Sequence, residues 1–384
     1  MLTIAGRPLA QVVAALIAVG AAHASPANTP ASARPTLDAE EDLARGDVAG
    51  AIEKFELLTR ARHDADGELG LVRAYMQDGQ YRRALAFCAH VAAEHFDAPG
   101  AVVLYAALLR AGGQERVADA AIADAVGRMP ADAFLQEASA AFKSLAPVPD
   151  GNLVHGPHRI APLESAPAGQ KPVPKEARVV SSGVLLGDGL HAIVPRSPSL
   201  AHAAGLWVRD GLGRTREAEV DRSEPAPGSV GAVILRLHDG LPIAHGNATE
   251  AAAPLFAGTP AYVLEYAEGS PATPAWPRLR LGFVGDASGA SGLPALHVDV
   301  GTGRYGGLVL DASGTPTGIV LREVGGGPTM LPVSRWPSSA PPNPSGTGDG
   351  GQPSPPVASS SRPGPTDAIY ERALPRALQV IVAP

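Results

Sequence analysis

Two hydrophobic periods divide the chain. From Leu37 to about Leu145, apolar residues recur every three to four positions, the spacing of one buried face of a helix. From Val179 onward they fall in short runs separated by Gly, Asp and Pro, the pattern of strands and turns. The helical part also repeats. Gly46, Gly79 and Gly113 are spaced by 33 and 34 residues, with Ala51, Ala84 and Ala118 five positions after them. Nine positions after the same glycines stand Phe55, Cys88 and Ile122, each predicted to be core. Small residues at a fixed offset let paired helices cross with their backbones close. Pro130 ends the third unit, and Ala131–Leu145 is then a helix that closes the open apolar end.

Between the two patterns, Ala146–Glu176 is rich in Pro, Gly and polar residues and predicts a linker. The strand region holds Val179–Leu186, Leu190–Val194, Leu206–Val208, Arg216–Val220, Ala232–Leu237 and Ala261–Tyr266. It continues with Arg278–Val284, Leu296–Val300, Leu308–Leu310, Gly318–Leu321 and Met330–Val333. Many short strands without helices between them predict a sandwich or a barrel. Pro337–Thr366 is dominated by Ser, Pro and Gly and predicts disorder. Asp367–Pro384 regains a pattern: a helical turn over Ala368–Ala373 and a β-prone run Leu378–Val382. That end is either frayed or a tethered strand that adds to a sheet edge in this molecule or a partner.

The helical unit resembles the tetratricopeptide repeat, a helix–turn–helix of ~34 residues, best matched by Tyr75, Gly79, Tyr81 and Ala84 in the middle unit. The resemblance implies a surface that binds peptides or partner proteins. A spacer or a dimerisation surface is the plainer alternative.

The strand region resembles the trypsin-like serine peptidases of the bacterial periplasmic type. Ser182–Leu186, the turn Gly187-Asp188-Gly189 and Leu190–Val194 are similar to the opening hairpin of that family. Ala232–Leu237 followed by Leu241-Pro242, then Pro254–Tyr266, Arg278–Val284, Leu296–Leu321 and Gly325–Arg335, match later landmarks in the same order. The resemblance implies a double β-barrel over residues 177–336. Such a peptidase needs a Ser nucleophile, a His base and an Asp that orients the His. The positions that match these are Tyr305 for the Ser, before Gly306-Gly307, Pro198 for the His, and Gly231 for the Asp. A slip of one residue puts Ser197 in place of Pro198. Neither is a base. A phenol with a pKa of ~10 and no base beside it is a poor substitute for the serine, and Leu308 stands where the family has a proline. His191 could serve as base only if the strand carrying it became a loop. His202 lacks the small-residue turn before it, Asp221 lies on another strand than Gly231, and Ser313 falls in a hairpin turn.

Composition adds compartment and excludes some chemistry. Met1–Ala24 reads as a secretory signal: Arg7, an apolar stretch from Pro8 to Ala22, and the small-x-small site Ala22-His23-Ala24, with cleavage before Ser25. An uncleaved membrane anchor is the alternative, although the apolar run is shorter than the ~20 residues that span a bilayer; no later segment is apolar enough, so no integral span is expected after signal removal. The product is expected to be periplasmic or secreted. A net charge of −7 gives no basic footprint for nucleic acid. The single cysteine, Cys88, allows neither an intrachain disulfide nor a cysteine zinc site. No phosphate-binding loop, H-E-x-x-H or G-x-S-x-G is present, and no cofactor or metal is expected.

The expected architecture is α then β: tetratricopeptide-like repeats over 36–145, a linker over 146–176, a trypsin-like double barrel over 177–336, a disordered tail over 337–366 and a short last segment over 367–384. The expected function is that of an exported, non-catalytic protein-binding scaffold or adaptor, with partners met through the repeats and the degenerate cleft. Two alternatives stand beside it: an active serine endopeptidase with an unrecognised triad, and a structural component of an envelope or secretion assembly.

Overall fold

In the computed structural model, the repeated glycines are the ends of helices. Gly46, Gly79 and Gly113 take φ of 81°, 80° and 83°, the left-handed region that a side chain disfavours. At each, the next residue donates its N–H five residues back: Asp47 to Asp42, Gln80 to Tyr75 and Gln114 to Leu109. The glycine N–H bonds three residues back. This is the Schellman closure, repeated three times. The described residues are 34–144, 148, 150–221, 231–243, 255–268, 271–287, 292–300, 305–322, 326–336 and 363–384. The signal stretch Met1–Ala24, most of Pro337–Thr366, and Gly301 and Gly303 lie outside them.

Among the described residues, seven helices form the repeat region: α1 (Arg34–Arg45), α2 (Val48–Ala61), α3 (Ala65–Gln77), α4 (Tyr81–Glu94), α5 (Pro99–Ala111), α6 (Glu115–Arg128) and α7 (Ala133–Lys143). Side chains of Asp47, Asp64 and Asp132 cap α2, α3 and α7 by accepting backbone N–H groups at 2.8–3.0 Å. Ala51, Phe55, Ala84, Cys88, Ala118 and Ile122, the positions singled out by the repeat, are all buried. Burial pushes the Cys88 thiol up, so it stays protonated and behaves as a small hydrophobe. No helix of the described residues is long and apolar enough to cross a membrane.

The stretch after α7 connects the helices to the strands, but it does not run free. It carries a short helix, α8 (Asn152–His155), and buries Leu153, Val154, Arg159, Ile160 and Ala161. A composition that reads as a tether is here packed chain.

Twelve strands of the described residues form two six-stranded antiparallel barrels. The first contains β1 (Arg178–Leu185), β2 (His191–Pro195), β3 (Gly205–Asp210), β4 (Thr215–Val220) and β5 (Ala232–Leu237), with the short helix α9 (Pro198–Ala201) between β2 and β3. The second contains β6 (Pro260–Glu265), β7 (Arg278–Val284), β8 (Leu296–Val298), β9 (Leu308–Leu310), β10 (Pro316–Arg322) and β11 (Pro328–Pro332). Its order is β11-β10-β9-β6-β7-β8. A bridge from Ala295 to Thr329 and the N–H of Met330 on Pro294 O, at 2.9 Å, join its two ends. Alternate strand residues fill each interior: Leu185, Val194, Val208, Leu235 and Val380 in the first, Val263, Val284, Val309, Val320 and Met330 in the second.

The sixth strand of the first barrel comes from the C-terminus. Helix α10 (Thr366–Ala373) packs on α4, and β12 (Ala377–Ala383) lies between β1 and β3. The strand order is β1-β12-β3-β4-β5-β2, with Leu378 opposite Gly183 and Val380 opposite Val208. Every residue of β12 is buried. The tethered-strand expectation is met inside this molecule, and the strand occupies a central slot rather than an edge.

Candidate functional site

Two of the positions that match a peptidase triad, Gly231 and Tyr305, fall where the two barrels meet. Strand β2 ends at Pro195, and the next residue, Arg196, donates its N–H to the carbonyl of Gly231 at 2.7 Å. Gly231 has φ 87°, and a Cβ there would stand 3.4 Å from Leu321 Cδ1 of β10. From the second barrel, the carbonyl of Tyr305 accepts the N–H of Ser182 in β1 at 2.8 Å. Gly306 has φ 78°, and a Cβ on it would collide with the carbonyl oxygen of Ser182 and the ring of Pro195. A backbone hydrogen bond thus ties Gly231 to the residue after β2, another ties the Tyr305 turn to β1, and Gly306 packs against the ring of Pro195.

Tyr305 is half-buried, and its hydroxyl accepts a hydrogen bond of 2.7 Å from Arg322 Nη1. The guanidinium carbon also lies 5.6 Å from the ring centroid, within cation–π range. The amide of Gly306 donates to Val320 O at 2.9 Å, so that N–H is engaged in the hairpin. Ser182, the serine nearest to the turn by main-chain contact, accepts the N–H of Tyr266 on its Oγ at 2.8 Å. Pro198 is the first residue of α9, held by Ser197 as its cap. It carries no group that can take a proton.

The other candidate groups stand elsewhere. His191 begins β2, at the end opposite Pro195, with Nδ1 2.6 Å from Asp188 Oδ2 and Nε2 4.0 Å from Asp221 Oδ2. Burial raises the Asp188 carboxyl, but its bonds from His191 and from the backbone N–H groups of Leu190 and His191 outweigh that and leave it below the ordinary aspartate range. A carboxylate near each ring nitrogen ties His191 into the hairpin's own contacts. Ser313 Oγ donates to Asp311 Oδ1 at 2.6 Å and lies 2.8 Å from Thr315 Oγ1, in the β9–β10 turn. His202 follows α9 on the surface. Among the described residues, no group of three or more His, Cys, Asp or Glu side chains is arranged to hold a metal ion.

Two concavities lie apart from the barrel junction. A partly open cavity of ≈ 100 Å³ is lined by Arg110, Phe142, Leu153, Ile160, Glu265 and Trp276, among others, where helices, connecting stretch and barrel loops meet. A groove of ≈ 600 Å³ runs between the Gly46 turn, Gln77-Asp78, Ser165–Pro167 and the Leu212–Arg216 turn. Sequence reasoning found neither, because their walls come from residues far apart in the chain. Arg322 was missed as well. Its place at the end of β10 is visible in the pattern, but its pairing with Tyr305 depends on how the hairpin returns.

No known family matches the chain, and no curated protein does either. Among solved structures it is similar to the crystal structure of Deg5, with 13% sequence identity, 42% of this chain and 84% of that chain covered, and a TM-score of 0.29.

Proposed function

We propose that this chain is a non-catalytic, exported protein-binding scaffold in which helical repeats of tetratricopeptide type carry a trypsin-like domain without its triad. One observation carries the reading. The turn that would hold the nucleophile carries Tyr305, whose hydroxyl is bound to Arg322. The other two positions hold Pro198, the first residue of α9, and Gly231, just before β5, a ring and a bare backbone. A nucleophile without a positioned base gains little from the fold that surrounds it. What such a domain retains is shape and rigid backbone, which suit binding.

Incubation of the purified chain with casein and with a fluorophosphonate probe tests this. The expected result is intact casein and an unlabelled chain. Labelling of any serine, lost when that serine is changed to Ala, would overturn the proposal. Export has its own test. Mass spectrometry of the protein recovered outside the cytoplasm is expected to give an N-terminus at Ser25, and a full-length cytoplasmic product would reject that part.

A further inference from the structure

The stretch Gly156–Ser165, GPHRIAPLES, lies across one face of the helices. The ring of His158 lies tilted against Phe134 of α7, with ring centroids 5.7 Å apart, and its Nδ1 is 3.8 Å from Asp66 Oδ1 of α3. A Cβ on Gly100, in the first turn of α5, would come within 2.7 Å of that imidazole. Arg159 is 4% exposed and pairs with Glu40 of α1 at 2.7 Å. The same carboxylate takes Arg73 of α3 at 3.0 Å. Further on, the amide side chain of Gln77 in α3 holds Leu163 by both main-chain groups. It accepts the N–H at 2.9 Å and donates to the carbonyl at 3.4 Å. Ser165 then passes the Gly46 turn and enters the groove of ≈ 600 Å³ beside Asp47 and Asp78.

These contacts are of the recognition kind. One side chain is read by charge, and one residue is clamped through its backbone regardless of its identity. Pro157 and Pro162 pre-set an extended backbone, as in proline-bearing peptide ligands. The seat is not built for maximal stability. Two buried guanidinium groups share one carboxylate, and Arg73 Nε and Nη1 and Arg159 Nε and Nη2 have no hydrogen-bond partner. Desolvation, with Arg73 alongside, pulls the pKa of Arg159 down. A buried charge arranged in this way contributes less than an apolar residue of the same size would.

We propose that the face formed by α1, α3, α5 and α7 is a groove for an extended peptide with one Arg four residues ahead of a free main-chain amide, and that Gly156–Ser165 occupies it in cis. A partner bearing such a segment then competes with the protein's own chain. Prolyl residues at the Leu163 position are excluded, because the Gln77 clamp needs the N–H. The inference deepens the binding function proposed above and rests on it. It does not depend on the missing triad, so a failure here with no fluorophosphonate labelling leaves the non-catalytic reading in place.

The test uses the full chain with His158–Leu163 replaced by a Gly/Ser stretch of equal length, and a fluorescein-labelled peptide of sequence GPHRIAPLES read by anisotropy. The replaced chain is expected to bind the peptide at least about tenfold more tightly than the wild-type chain does. A peptide carrying Arg159→Ala is expected to bind about tenfold to a hundredfold more weakly, the loss for one charge-assisted contact. A replaced chain that melts cooperatively yet binds neither peptide, or binds both equally, would show that the stretch is only a covalent strap. If the replaced chain does not fold, hydrogen exchange on the wild-type chain decides. Excess unlabelled peptide is expected to speed exchange of the 158–163 amides at least about twofold, as the resident segment is displaced. Unchanged exchange at saturating peptide would overturn the proposal.

Discussion

Tyr305 holds its place through Arg322, and no base stands in the two positions that would have to serve it. Changing Tyr305→Ser is therefore expected to give no casein digestion above the wild-type background, because Pro198 and Gly231 still supply neither base nor orienting carboxylate. Digestion by that single variant would mean that an unrecognised base is in reach. The neighbouring Gly306 is constrained more tightly. Its φ of 78° and the closeness of the Ser182 carbonyl leave no room for a methyl group. Gly306→Ala is expected to cost at least about 2 kcal/mol in urea unfolding, and a change under half of that would contradict the backbone contact between the barrels. Glu268 and Asp42 add opposite slopes to the pH response. Burial pushes Glu268 up to about 7. A raised acid binds its proton more tightly when folded, so stability falls as pH rises from the ordinary glutamate range toward 7. Asp42 goes the other way. Its hydrogen bond from Lys54 outweighs burial and, with Arg45, holds it below the ordinary range, so that contribution is lost as pH falls below about 4. Urea midpoints are expected to peak between those limits, and Glu268→Gln is expected to flatten the neutral arm. A slope unchanged in Glu268→Gln would rule out that carboxyl as its source. The Gly306-Gly307 pair made Tyr305 legible in the sequence. Nothing local marked Arg322, Glu40 or Gln77, since each acts on a residue in another element.

The strands carry their own signature, and the eleven runs expected between Val179 and Val333 correspond to β1–β11 with small shifts of boundary. Alternation and turn residues are local signals, so they survive without knowledge of the fold. The two elements that changed most are those whose partners are distant. β12 was legible as a β-prone run, but its slot between β1 and β3 depends on strands some 170 to 200 residues earlier, such as Val208 and Gly183. The stretch after α7 has too few apolar residues to show a period, and its buried Arg159 reads as a solvent residue until Glu40 is placed against it. For β12 the packing predicts a large effect. Ile381 is fully buried beside Trp207 and Val179, so Ile381→Ala is expected to destabilise the chain by about 2–5 kcal/mol. A loss under about 1 kcal/mol would mean that the strand is detachable and the barrel closes without it.

The C-terminal segment joins regions that the sequence presents as separate. Tyr370 of α10 packs its ring 4.5 Å from that of Tyr81 and donates its hydroxyl to Pro277 O at 2.9 Å, beside the second barrel. Glu371 accepts from the backbone N–H of Arg82 at 2.8 Å and pairs with its guanidinium, and Tyr266 donates to Ala377 O at 3.2 Å. Arg280 of β7 adds a pair with Glu115 of α6 at 2.6 Å. One apolar cluster runs from Leu43 and Phe55 through Tyr81 and Tyr370 to Val184, Ile193, Leu264 and Ile319. Helices and barrels that share a core are expected to unfold together. The three tryptophans, Trp207, Trp276 and Trp336, all lie in the β part, whereas the helical signal comes mainly from α1–α7. Fluorescence and far-ultraviolet circular dichroism therefore report different regions of one chain. In the intact protein the two thermal transitions are expected to coincide. Truncation before Thr366 removes α10 and β12 together, opens the first barrel between β1 and β3, and strips the Tyr81 ring of its partner. The fluorescence transition is then expected to fall by at least about 10 °C, more than the helical one, in keeping with a loss of several kcal/mol confined to the barrels. Coincident transitions in the truncated chain would show that the helices and barrels are coupled without the C-terminal segment, through Gly156–Ser165 and the Arg280–Glu115 pair.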